Sequence, residues 1–88
     1  MTAEGVWWDG NALAGLLYDV FGTEMTTAVR SCPNCGLRCP VGAYRAYLGA
    51  GAALRCPGCD GLALRIAVLP DRHVVQLSGT WTLETPRR

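Results

Sequence analysis

Two Cys-x2-Cys pairs, Cys32/Cys35 and Cys56/Cys59, stand twenty residues apart in a chain of 88. They limit the fold more than any other feature, because two distant loops must bring four sulfurs to one point. Each pair carries a proline after its first cysteine, in CPNC and CPGC. Such a turn aims two sulfurs at one ion while its backbone N–H groups point at the first sulfur. Pro33 and Pro57 preset φ near about −65° for the first corner. The residue after the second cysteine tends to need positive φ, which Gly36 adopts freely and Asp60 tolerates better than most residue types. The spacing therefore predicts one Zn2+ held by Cys32, Cys35, Cys56 and Cys59. Four thiolates close a tetrahedral shell and leave no position for water or substrate, so the expected role is structural.

A chain of this length forms one small domain, expected over residues 1–88, whose apolar core alone is marginal. A structural zinc site contributes on the order of 10–16 kcal/mol near neutral pH, as much as the whole stability of a typical domain. Half of the residues are apolar and 17% are charged, which reads as a folded chain rather than a disordered one. No apolar run approaches the ~18 residues of a membrane span. The N-terminus MTAEGVWWDGN lacks the basic start and apolar stretch of a secretory signal. A cytoplasmic, reducing setting is expected, where clustered cysteines bind metal more often than they form disulfides. Cys39 is the odd thiol and is expected to be a small buried hydrophobe. His73, the only histidine, is expected in a solvated turn.

Residues 9–22 read as a helix, with Leu13, Leu16, Leu17, Val20 and Phe21 on one stripe, Asp9 or Asn11 as cap and Gly22 as left-handed stop. Gly15 within it suggests close approach to another element. Residues 24–83 are expected to form an extended ribbon sheet. Strands are predicted over 25–30, 43–48, 52–55, 62–69 and 74–83, with Gly49-Ala50-Gly51 and Pro70-Asp71-Arg72-His73 as turns. Residues 85–88 make a frayed tail. The fold class so predicted is α+β: an N-terminal amphipathic helix packed on a small antiparallel zinc-ribbon sheet, its stripe set against Leu64, Ile66, Val75 and Leu77. Tyr44 and Trp81 are expected in the core.

The formal charge of +1 is unevenly distributed. Residues 1–29 carry four acids and no base, while residues 30–72 carry six arginines against Asp60 and Asp71; the chain has no lysine. Four thiolates around Zn2+ add −2, so the metal-bound chain is near −1, which weakens a case for nucleic acid built on bulk charge.

The motifs CPNCG and CPGCDG, one on each side of a hairpin, resemble the zinc-ribbon superfamily over residues 30–83. The resemblance implies a small antiparallel sheet, usually of three strands, capped by two knuckles. More narrowly, WDGNALAGLLYDVFG, followed by CPNCG, LRCPGCDG and LSGTWTL, is similar to an actinobacterial family of short zinc-ribbon proteins with no assigned function. That match, over nearly the whole chain, gives Cys32, Cys35, Cys56 and Cys59 the ligand roles. Asp60 departs from the usual Cys-Gly ending of a knuckle, which bears on turn conformation and not on ligation.

The function expected is an interaction module that docks on a protein partner or forms a homodimer. Trp7, Trp8, Tyr44, Tyr47 and Trp81 are more aromatics than one thin core needs, and adjacent Trp7 and Trp8 in an extended stretch face opposite ways. A second reading is nucleic-acid binding through Arg30, Arg38, Arg45, Arg55 and Arg65 with Tyr44 and Tyr47 for stacking. A third is a rubredoxin-like iron electron carrier on the same four cysteines. No small-molecule substrate is evident, and Ser31, Ser78, His73 and the scattered carboxylates form no nucleophile–base arrangement, so no enzyme is expected.

Overall fold

The computed structural model describes residues 7–87. Residues 1–6, which bear on the reading of the N-terminus, and Arg88 of the tail lie outside the described residues. The chain runs through β1 (Trp8–Asp9), a 3-10 turn (Gly10–Leu13), α1 (Ala14–Phe21), β2 (Val29–Ser31), β3 (Arg38–Pro40), a second 3-10 turn (Val41–Ala43), β4 (Arg45–Leu48), β5 (Gly51–Arg55), β6 (Leu62–Val68), β7 (His73–Leu77) and β8 (Thr80–Thr82). The strands make two antiparallel sheets, one of five strands in the order β1-β4-β5-β6-β7 and one of three in the order β3-β2-β8.

This corrects the predicted fold class. The protein is mainly β, and its short helix is not a layer laid over a ribbon sheet. The Asp9 carboxylate accepts from the Asn11 N–H at 3.0 Å and starts a tighter 3-10 turn, so regular α-helix begins only at Ala14. Eight residues at ~1.5 Å rise give about 12 Å of helix, whereas five strands at ~4.8 Å spacing span about 19 Å. The helix ends as expected at Gly22, whose φ of 73° lets its N–H reach the Tyr18 carbonyl at 2.7 Å. Gly15 meets nothing within 4 Å, so it marks no close approach. The tight contact is at the start of the 3-10 turn, where a side chain on Gly10 would run into the Val41 carbonyl of the second 3-10 turn.

One core serves the inner face of the large sheet and the cysteine-bearing loops. Leu13, Leu17, Val41, Tyr44, Leu54, Leu64 and Ile66 are fully buried, with Cys32, Cys56, Met25 and Ala28 in the same cluster. Leu16, Val20, Phe21, Val75 and Trp81 pack at its margin. Leu77, expected beneath the helix stripe, is half exposed, as are Leu48 and Val68 on the same face; the helix is too short to reach them.

Two expected strands also differ. Of the expected strand 25–30 only Val29 and Arg30 are strand, as the start of β2, because Glu24 accepts from Thr26 N–H and Oγ1–H and the Ala28 N–H closes onto the Met25 carbonyl, making a turn. The stretch 74–83 is broken at Gly79 (φ 83°), so β7 belongs to the large sheet and β8 to the small one. Among the described residues no helix is long and apolar enough to cross a membrane.

Candidate metal centre

Both cysteine pairs sit at hairpin tips of the same construction. The register pairs Ser31 with Arg38 and Arg55 with Leu62, so residues 32–37 and 56–61 are loops of equal length. Each loop closes in the same way. In the first, the Cys32 N–H donates to Leu37 O (2.9 Å) and the Gly36 N–H to Cys32 O (3.0 Å). In the second, the Cys56 N–H donates to Gly61 O (2.9 Å) and the Asp60 N–H to Cys56 O (2.7 Å). Gly36 (φ 78°) and Asp60 (φ 64°) hold the left-handed corners that the loops require.

This geometry brings the four sulfurs together. All lie within 4.8 Å of one another, with Cys32 Sγ to Cys59 Sγ and Cys35 Sγ to Cys56 Sγ both at 3.7 Å. Those separations are far beyond the ~2.05 Å of a disulfide. They agree with the edge of a tetrahedron whose centre is ~2.3 Å from each corner, about 3.8 Å, the geometry of a zinc–thiolate site. The group can hold a metal ion, and its donor set of four thiolates suits zinc or iron. Backbone N–H groups face the sulfurs, from Gly58 to Cys56 and from Gly61 to Cys59, each at 3.4 Å. The Asn34 side chain crosses from one knuckle to the other and donates to Cys59 Sγ at 3.7 Å.

Electrostatics favour a cation here. The backbone N–H groups of Cys35 and Asn34, joined by Cys59 and Arg30, lower the Cys32 thiol to about 6. At Cys35 the Leu37 N–H pulls downward, but desolvation and the neighbouring Cys56, Cys32 and Cys59 push the thiol up to about 11. The pocket thus supports one thiolate readily and resists a second beside it. A divalent cation is what allows all four sulfurs to ionise.

Arg30 is the residue that sequence reasoning misplaced. The arginine stripe expected on the ribbon includes it, yet it is 1% exposed, on the face of β2 that continues to Cys32 just beyond the strand. Its Nε donates to Ser78 O (2.9 Å), its Nη2 to Ser78 Oγ (3.0 Å) and its Nη1 to Tyr44 Oη (3.2 Å). No carboxylate among the described residues pairs with it. Burial works against its charge, and the Tyr44 hydroxyl and the Cys32 sulfur more than offset that, raising its pKa. A buried cation without a carboxylate is expensive, and four thiolates around one divalent ion would supply the missing negative charge. The available signal was strand alternation: positions 30 and 32 share a face, so a buried Cys32 implies a buried Arg30.

Cys39 lies outside the sulfur group, half-buried on β3 opposite Arg30. Burial, and then the charge of Cys56, raise its pKa, against a smaller lowering by Arg30. His73 is exposed at the start of β7, on the far edge of the large sheet. Ser31, Ser78 and His73 do not converge: Ser78 Oγ donates to Leu62 O (2.9 Å) while accepting from Arg30.

Neither a curated protein nor a solved structure matches the chain at a significant level. The profile of a family of unknown function (DUF6510) matches residues 2–88, nearly the whole chain, and the chain belongs to that family.

Proposed function

We propose that this chain is a small, non-catalytic binding module of the zinc-ribbon type, built round one structural zinc ion held by Cys32, Cys35, Cys56 and Cys59. The observation that carries this reading is the pair of 3.7 Å sulfur separations, one from each half of the tetrad, linking the two knuckles. Zinc bound there would act as a cross-link between two loops that sequence separates by twenty residues. Four protein ligands leave no coordination position for a substrate, which supports a scaffold rather than a Lewis-acid centre. Reduced thiolates of this kind persist in a reducing compartment, so a cytoplasmic setting is part of the proposal.

A protein partner, or a second copy of the chain, is the reading supported by apolar side chains the fold leaves uncovered. Trp7, Trp8, Leu48, Val68 and Leu77 are all about half exposed. The test is metal content and association state on one purified sample. A colourless protein with one zinc per chain, unfolding when a chelator strips the metal, and a concentration-dependent mass that Trp8→Ala or Leu77→Ser abolishes, are the expected results. A red protein with visible absorption would replace zinc by iron and the module by an electron carrier. A chain that keeps its fold without metal would overturn the structural role.

A further inference from the structure

The large sheet has one face in the core and one face that no described element covers. The shortest principal extent of the molecule is 18 Å, room for the sheet and a covering layer on one side only. Strand register decides which side chains share the open face. Ala46, Leu54, Leu64 and Ile66 point into the core, so their neighbours along each strand point the other way. Arg45 and Arg55 are directly paired across β4 and β5, and the next row on that face runs Tyr47, Ala53, Arg65, Gln76 across four strands.

Two features of this face break local rules. Arginines directly opposite each other in a strand pair repel; Asp9 stands opposite Arg45 on β1, but its carboxylate accepts from the Asn11 N–H and makes no ion pair with Arg45. Arg45 lies 3.7 Å from the exposed Asp60 carboxylate, and Arg55 donates to the Asp60 backbone carbonyl (3.0 Å). Arg65 is exposed with no carboxylate partner among the described residues. The second feature is aromatic. Trp7, 48% exposed, lies with its ring 5.3 Å from the Arg45 guanidinium, and Tyr47 stands in the next row. Beside Tyr47 and Arg65 an open trough of about 490 Å³ is lined by the small residues of the 49–53 hairpin and Ala67, together with Leu48, Val68 and Leu69. That volume is in the range of ligand-sized clefts. Local conflicts retained in an otherwise consistent fold mark functional surfaces.

We infer that this open face binds single-stranded nucleic acid. Arg45, Arg55 and Arg65 would meet the phosphates, and unpaired bases would lie on the small-residue floor and stack on Tyr47 and Trp7. A duplex keeps its bases stacked inside and offers nothing to the aromatics. An acidic peptide would use the arginines and leave the aromatic rings and the flat floor unexplained. The set differs from the stripe expected from sequence: Arg30 and Tyr44 are buried, and Arg38 belongs to the small sheet. The inference goes beyond the protein-partner reading, since it uses the face of the large sheet opposite to Leu48, Val68 and Leu77, and it does not depend on which metal fills the tetrad.

The test is fluorescence anisotropy of labelled oligouridylate and oligodeoxythymidylate, each about 15 nucleotides, with the full chain carrying its metal and the metal content measured on the same sample. Binding should weaken between ~50 and ~200 mM salt, with a slope near −2 on a log–log plot, as roughly three phosphate contacts at about −0.7 each require. Arg65→Ala should lower that slope, and Tyr47→Ala should weaken binding by roughly 5- to 100-fold, the effect of losing one stacked base. Arg38→Ala, on the other sheet, should leave it unchanged. A preference for one oligonucleotide assigns the source as RNA or DNA. No binding at ~50 mM salt by metal-loaded protein overturns this inference and leaves the module reading intact. Equal weakening by Arg38→Ala and Arg65→Ala, or full competition by polyglutamate at equal charge, also overturns it, the latter in favour of an acidic protein partner. Binding by protein that folds without metal would support the surface and sink the structural-zinc reading instead.

Discussion

Arg30 and Ser78, 48 positions apart, meet through two hydrogen bonds: Nε donates to the Ser78 carbonyl at 2.9 Å and Nη2 to the Ser78 hydroxyl at 3.0 Å. The same hydroxyl donates to Leu62 O, the first residue of the strand that leaves the second knuckle. One guanidinium thereby ties β2, which delivers Cys32, to the junction of β7 and β8 and to the far knuckle. Gly79 closes over it, since a Cβ there would stand 3.0 Å from Arg30 Nε and Nη2. The two sheets and the sulfur cluster are held by one buried polar joint.

Arg30→Met removes the only charge in that joint, leaves the Tyr44 and Ser78 hydroxyls without their donor, and leaves the Ser78 carbonyl with the Trp81 Nε1–H alone. A loss of about 2–4 kcal/mol is expected in chemical denaturation, within the range for breaking a buried charged network. Zinc affinity should fall roughly 10- to 100-fold, as for other partners that support a ligand shell. Arg30→Lys should recover little, because an ammonium cannot reproduce the forked contact with both Ser78 acceptors.

The five cysteines should separate into four and one. Cys56→Ser is expected to abolish stoichiometric zinc and to unfold at least the ribbon, because the binding energy lost is comparable to the stability of the domain. Cys39→Ser should keep one zinc per chain and lose at most about 1–2 kcal/mol from its half-buried position. Mass spectrometry under native conditions with circular dichroism reads both. Zinc retained in Cys56→Ser would exclude that sulfur from the centre.

Two glycines give opposite expectations for the same change. Gly15 sits in α1 with open space around it, so Gly15→Ala should stabilise by about 0.5–1 kcal/mol. A Cβ on Gly58 would stand 3.1 Å from Cys35 Sγ and 3.2 Å from Leu37 Cδ2. Gly58→Ala should therefore displace a ligating sulfur and weaken zinc binding, measurable by competition with a chromophoric chelator. Equal effects of both changes would contradict this account of the knuckle.

These residues also mark how far the sequence was legible. Cys32, Cys35, Cys56 and Cys59 could be picked out because each loop carries its own local rules, a proline after the first sulfur and a residue tolerant of positive φ after the second. The helix was overread: the apolar stripe from Leu13 to Phe21 is real in the sequence, but the Asp9 cap tightens its first turn, which periodicity does not record. The break at Ser78–Gly79 was invisible because the alternation of 74–83 continues across it; the cause is Arg30, a contact 48 positions away. The open sheet face could not be assembled either, since Arg45, Arg55 and Arg65 become neighbours only through register.

Acid should empty the centre. The Cys32 thiol is depressed to about 6 in the folded chain, so its contribution is present above the ordinary thiol pKa and is lost as pH falls through 6. The Cys35 thiol, pushed up to about 11 by desolvation and its neighbouring sulfurs, takes up a proton more readily than Cys32. Zinc release followed by a chromophoric indicator should therefore rise steeply below about pH 6, with loss of folded signal over the same interval. Release that leaves the circular dichroism unchanged would mean that the fold does not rest on the metal.

X-ray absorption at the zinc edge tests the central claim most directly. The account predicts a first shell of four sulfur scatterers at about 2.3 Å and nothing lighter. A shell containing nitrogen or oxygen, or a properly folded chain with no zinc to measure, would contradict it.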